Sequence, residues 1–270
     1  MEYLQYPFFR YALYGILIIS VAAAIIGSYI VTRRLVSISG GITHACFGGL
    51  GLGYYLGTSP IVMAGVFAVA SSLGVEWLSS KMRIREDSAI AVIWAIGMAA
   101  GVLFVFLTPG YVPELNSFLF GNILNISASD LLAFAIYLVV LAGFFVIFYH
   151  RIVACAFDRD FAKVSGLGVR FISYGMTILV AVCIVLTIRL VGIMLLMSMM
   201  TLPQMVAESV CRRFYHMIMV SVVVSVACSV AGLIVGTLID VPCSATIVMI
   251  MAVVFLVCKT AVGIRRRMQP

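Results

Sequence analysis

A lone histidine, His44, stands in an apolar stretch that carries seven glycines, RRLVSISGGITHACFGGLGLGYYLG from Arg33 to Gly57. Neutral imidazole is a common ligand for transition metals. Ionisable groups inside apolar spans mark pathways for ions or protons. A bland reading stands beside this one: an imidazole here can simply hydrogen-bond a backbone carbonyl across a close glycine contact. One histidine is not a metal site, because zinc takes three or four ligands. Cys46 lies two residues on and points away from it on a helix. Met194, Met197, Met199, Met200 and Met205 keep no single face, so they read as core filling rather than soft ligands. Glu76 and Glu208 fall near the ends of apolar segments and read as interfacial, reaching water or a basic neighbour. There is no nucleophile–base pair, phosphate loop or HExxH pattern, so no catalytic residue is assigned and no enzyme activity is expected of the chain.

The glycines say how that histidine is held. At about 100° per residue, Gly41, His44, Gly48, Gly51 and Tyr55 share one helical face. Gly49, Gly53 and Gly57 form a second stripe on roughly the opposite side. Glycine weakens an isolated helix, so this density predicts that neighbouring backbones approach closely on both sides. The imidazole is then expected inside the protein, where a transport pathway would run.

The elements around it are membrane spans. Of the 270 residues, 64% are hydrophobic and 10% charged, with a mean hydropathy of +1.22. That excludes a soluble domain, and no alternating ten-residue pattern of a membrane barrel is visible. The fold class is an all-α polytopic membrane protein, read as a single domain over 1–270. Nine apolar segments, about 11–32, 36–57, 60–79, 88–107, 128–149, 171–188, 190–208, 214–237 and 243–262, give eight or nine transmembrane helices. The pair 171–188 and 190–208 is expected to meet near Arg189, and the glycine-rich segment can span or re-enter. The first segment lacks a basic leader and cleavage site and reads as a retained helix. Seven cysteines, odd in number and without CxxC spacing, predict neither disulfide nor structural zinc.

The net charge of +7 is an orientation signal rather than an affinity for nucleic acid. Fifteen of the 17 Lys and Arg fall on alternate connections, with Arg10 and Arg189 on the other side. The positive-inside rule then puts the N-terminus outside and the C-terminus in the cytoplasm. The longest outer connection, 108–127, holds the apolar run Ser117–Leu124. It is either a loop folded onto the bundle or a dock for an extracytoplasmic partner.

One cytoplasmic connection differs from the rest. In HRIVACAFDRDFAKVSGLGVR (150–170), Asp158 is a helix N-cap and Gly166 and Gly168 are stops. Phe157, Phe161, Val164 and Leu167 recur at helical spacing, with Arg159, Asp160 and Lys163 polar. Such a helix is too short to span. It rests on lipid or the bundle, or it is a handle for a cytosolic partner. Pro203 interrupts RLVGIMLLMSMMTLPQMVAES and predicts a kink, either a gate element or ordinary irregularity.

Taken in order, several of these stretches resemble the permease subunits of ABC-type importers for zinc, manganese or iron. They are FFRYAL (8–13), the Arg-Arg, His44 and glycine-rich stretch of 33–57, REDSAIAVIWAIGMAAGVL (85–103), LFGNILNISASDLL (119–132), FDRDFAKVSGLGVR (157–170) and VGIMLLMSMMTLPQMVAE (191–208). The likeness implies a homodimeric permease in the inner membrane of a prokaryote, with the ion's route between the two copies. It implies cytosolic ABC ATPase subunits that hydrolyse ATP, and an extracytoplasmic metal-binding protein that delivers the ion. The coupling helix would be formed by Phe157, Asp158, Asp160, Phe161, Ala162 and Gly166. One departure matters. The acidic residue that family members usually carry four before the histidine is Gly40 here, so His44 alone is carried over as a pathway ligand. Zn²⁺ or Fe²⁺ then fits better than oxygen-preferring Mn²⁺. Two alternatives are a permease for a chelated metal or cofactor, such as a siderophore or corrinoid, and a channel or intramembrane enzyme using His44 and Cys46.

Overall fold

The structure, a computed structural model, describes residues 6–82, 84–109, 121 and 123–267. Most of the 108–127 connection, including Pro113 and most of the Ser117–Leu124 run, lies outside them, as does Arg83. So do the side chains of residues 189, 266 and 267. The described chain consists of α1 (Pro7–Thr32), α2 (Val36–Tyr55), α3 (Pro60–Met82), α4 (Glu86–Leu107), a 3-10 turn (Ile123–Asn125), α5 (Ala128–Phe157), α6 (Arg159–Val164), α7 (Val169–Met199), α8 (Leu202–Val210), α9 (Phe214–Ile239) and α10 (Cys243–Arg267). No strand occurs among the described residues. Lipid offers backbone groups no partners, so a spanning chain must satisfy them within helices or a closed barrel.

Eight helical stretches among the described residues are long and apolar enough to cross a bilayer. The glycine-rich α2 is not one of them. Its 20 residues nonetheless cover about 30 Å at 1.5 Å per residue. The two spans expected to meet near Arg189 are present as Val169–Ile188 and Leu190–Val210, and within the run α7 that joins them the backbone breaks at Gly192. A φ of 78° there is open to glycine and costly for a residue with a Cβ. Arg189, three residues earlier, is still helical.

The helices gather into two compact units. One comprises Met1–Val31, Ser117–Ala142 and Leu190–Pro270. Within it α1 is the buried element, with 72% of its most apolar window enclosed. Ala22, Ala23, Ala24, Gly27 and Ser28 keep that helix thin. Gln204 on α8 reaches it, its Nε2 donating to Ala23 O at 3.2 Å and to Met199 O at 2.9 Å. Ser20 donates to Ser229 on α9 at 3.1 Å. α9 and α10 form a hairpin turned by Asp240 in the left-handed region, and both pack on α8.

The other unit comprises Thr32–Asn116 and Gly143–Arg189. Here α2 lies between α3 and α4. Thirteen of its 20 residues are buried, whereas α4 buries only Ala89, Ile90, Gly97 and Gly101. Val92, Ile96, Leu103 and Phe106 on α4 are exposed apolar residues, of the kind a bilayer-crossing helix carries.

Candidate functional site

The two glycine faces of α2 meet two different helices. Toward α4, Gly41 lies against Ile90, Gly48 against Gly97 and Gly51 against Gly101, and the Phe67 ring of α3 also closes on Gly48. A methyl group added at Gly51 would stand 2.5 Å from the Gly101 carbonyl oxygen and 3.0 Å from its Cα. Toward α3, Gly49 abuts the backbone of Met63 and Ala64, and Gly53 abuts Pro60, whose Cα would be 2.5 Å from an added methyl. Backbone cannot rotate away as a side chain can, so only glycine permits these approaches.

Gly57 does not belong to this packing, and the second stripe is corrected to Gly49 and Gly53. α2 ends at Tyr55, and Gly57 adopts φ 65° with nothing within 4 Å of an added methyl. Its N–H donates to Tyr54 O at 3.2 Å, and that of Thr58 donates to Gly53 O at 3.0 Å. That is a Schellman stop, for which the left-handed residue is the requirement.

His44 also differs from expectation. It is half-buried on a helix whose neighbouring positions, Thr43, Ala45 and Cys46, are enclosed. Its ring stacks on that of Trp94 from α4, with centroids 4.6 Å apart and planes 1° from parallel. Trp94 is itself 39% exposed. The stack fixes the imidazole plane through one face and leaves the ring edge, which bears both nitrogens, clear of the indole. The imidazole makes no hydrogen bond among the described residues, so the carbonyl contact weighed above is not formed. Cys46 is fully enclosed on another face and is not a co-ligand. No group of three or more His, Cys, Asp and Glu able to hold a metal exists among the described residues. A cation at His44 would draw its remaining ligands from elsewhere.

The short helix α6 forms as its sequence requires. Asp158 caps it, accepting from the N–H of Asp160 at 3.0 Å and of Phe161 at 2.9 Å. Gly166, at φ 70°, closes it, with its N–H donating to Lys163 O and that of Leu167 to Ala162 O, both at 3.1 Å. Asp160 and Lys163 are exposed, as the amphipathic spacing predicts. Phe157, Phe161 and Val164 are exposed, and Ala162 is the one buried residue of the helix. Arg159 instead turns inward. Its guanidinium pairs with Glu76 on α3 and, at 2.6 Å, with Glu86 Oε1 on α4. That same oxygen accepts from Arg33 Nη2 at 2.7 Å. Ser37 donates to Asp87 at 2.9 Å beside it. Glu76 is 5% exposed and takes the basic neighbour, the second of the two partners expected for it. Sequence reasoning allowed Glu76 a basic neighbour, as an acidic residue within an apolar segment needs one, but did not identify Arg159 or bring Glu86 and Arg33 to it. Glu208 is exposed and lines a polar surface recess with Lys259.

Pro203 lies in the first turn of α8, where a missing N–H costs little. The helical path breaks just before it, at Met200–Thr201, rather than at the proline itself.

A bundle of this kind, with exposed apolar helices, an interior glycine-packed helix and a capped short helix, is that of a multi-pass membrane protein. The chain belongs to the ABC 3 transport family, which matches residues 5–261. It is therefore the membrane-spanning part of an ABC transporter, whose ATP hydrolysis belongs to a separate subunit. It is 36% identical over 241 residues to a metal transport system membrane protein of Chlamydia pneumoniae, covering 86% of this chain and 81% of that one. It is 30% identical to an iron transport system membrane protein of Haemophilus influenzae, covering 99% and 98%. Among solved structures it is similar in fold to PsaBC of Streptococcus pneumoniae, with a TM-score of 0.82 at 24% identity over 95% of this chain and 94% of that one.

Proposed function

We propose that this chain is the permease subunit of an ATP-driven importer of a divalent metal ion, with all of 1–270 acting as one permease domain. The observation that carries the reading is His44, a half-exposed imidazole with free nitrogens on the glycine-packed helix of an ABC 3 permease. One chain supplies too few ligands. Two copies facing each other would bring two imidazoles to one ion, which suits transient passage better than tight storage. Gly40 leaves no carboxylate one turn before His44, so Zn²⁺ or Fe²⁺ is favoured over Mn²⁺.

The ion would arrive from an extracytoplasmic binding protein and leave toward the cytoplasm, where the basic connections and the C-terminus lie. Cytosolic ATPase subunits would grip Phe157 at the end of α5 together with Phe161 and Val164 on the capped helix α6, all three apolar and exposed. ATP-driven movement of that helix would alternate access to His44. The break before Pro203 is a candidate hinge for the gate.

The test is uptake by the complex reconstituted with its ATPase in proteoliposomes. A panel of Zn²⁺, Fe²⁺, Mn²⁺ and a ferric siderophore is offered with and without ATP. ATP-dependent accumulation of a free ion, with zinc or iron ahead of manganese, is expected. Accumulation of the chelate alone, or conductance without ATP, would overturn the reading.

A further inference from the structure

One guanidinium ties α6 to the helices that carry the imidazole. Arg159 opens α6, and its two terminal nitrogens reach carboxylates on two different helices, Glu76 of α3 and Glu86 of α4. Arg33 completes the cluster from the turn that leads into α2. The side chains of Arg33 and Glu76 are only 9% and 6% exposed. Two cations and two anions cancel, which lets the group persist where an unpaired charge would be costly.

From Glu86 the linkage continues into α2. Arg33–Glu86 and Ser37–Asp87 pin the first turn of α2 to that of α4. Further along, the contacts Gly41–Ile90, Gly48–Gly97 and Gly51–Gly101 hold the two backbones side by side. Neither helix can slide on the other without collision, so α2 and α4 move as one body and carry the His44–Trp94 stack with them. α6 has little else to pull on this body with, since Ala162 is its one buried residue.

We infer that Arg159 is the positioning residue that passes displacement of α6 to the α2–α4 pair, through Glu76 and Glu86, and so couples nucleotide turnover to the state of His44. The inference rests on the importer reading for the role of α6. The geometry needs a fork: a lysine ammonium keeps the charge but holds the two carboxylates less well than a planar guanidinium.

The experiment uses the reconstituted complex and compares Arg159→Gln, Arg159→Lys and Lys163→Gln, the last altering an exposed charge of the same helix. Arg159→Gln is expected to copurify with the ATPase and to import roughly tenfold less metal per ATP hydrolysed. Arg159→Lys recovers part of that ratio, and Lys163→Gln leaves it within about twofold. Glu76→Gln combined with Arg159→Gln falls no lower than Arg159→Gln alone, because the residues act as a unit. A second readout needs no cargo. A Trp94→Cys variant is labelled with a thiol reagent before and after trapping with ATP and vanadate. Trapping should change the labelling rate when Arg159 is present and leave it unchanged with Arg159→Gln. If Arg159→Gln does not assemble, the same comparison is made with Arg159→Lys. An unaltered import-to-ATP ratio, or an equal labelling response in both backgrounds, overturns the inference. Failure of the importer reading looks different: the unsubstituted complex takes up no ion while its labelling still responds to nucleotide.

Discussion

At the scale of the residue, His44 is held by an aromatic face rather than by a hydrogen bond. Stacking of this kind is worth about 0.5–1.5 kcal/mol beyond the area it buries. Replacing Trp94 by Ala should therefore loosen the imidazole and raise the KM for ion uptake several-fold, read from initial rates in proteoliposomes. His44→Ala should lower uptake by roughly two orders of magnitude while the ATPase still copurifies, since it removes the ligand and its stack on Trp94 but leaves the glycine contacts of α2 in place. Loss of assembly in His44→Ala would show instead that the ring is structural. The sequence identified the histidine as the group to watch. It gave no hint of Trp94, which lies 50 residues away on a different helix, or of the half-exposed setting.

At the scale of the element, the glycines of α2 divide into those that admit a neighbour and one that ends the helix. Gly51→Ala would press a methyl on the backbone of Gly101. Overpacking of this type costs about 1–3 kcal/mol, which should appear as a lowered melting temperature in detergent. Gly57→Ala meets no neighbour and should cost about 1 kcal/mol through its left-handed backbone alone. Helical spacing foretold the two faces, and both are present, but it could not mark where the helix stops and so counted Gly57 among the packed positions. α6 was legible for a firmer reason: its cap and its stop are local chemistry. Asp158→Ala removes an acceptor of two N–H groups and should cost about 1 kcal/mol of local stability, measured as weaker retention of the ATPase during purification.

At the scale of the whole molecule, an ABC permease has to turn a movement outside the membrane into a change of access inside it. Purified alone, the chain should hydrolyse no ATP, and hydrolysis should appear on adding the ATPase. Phe161→Glu places a charge on the exposed apolar surface of α6 and should separate nucleotide consumption from ion entry. Undiminished import by that variant would remove α6 from the mechanism. The sequence by itself determined that the chain crosses a membrane many times, which helix carries the imidazole, and where a short helix begins and ends on the surface. Those features depend on composition, period and local capping, all of which act within a few residues. Only the tertiary structure decided that Arg159 faces inward to Glu76 and Glu86, that Trp94 covers His44, and that the bend near Arg189 is taken up at Gly192. Each of those depends on which distant segments become neighbours. A charge or a ring has no preferred side until its partner is in place.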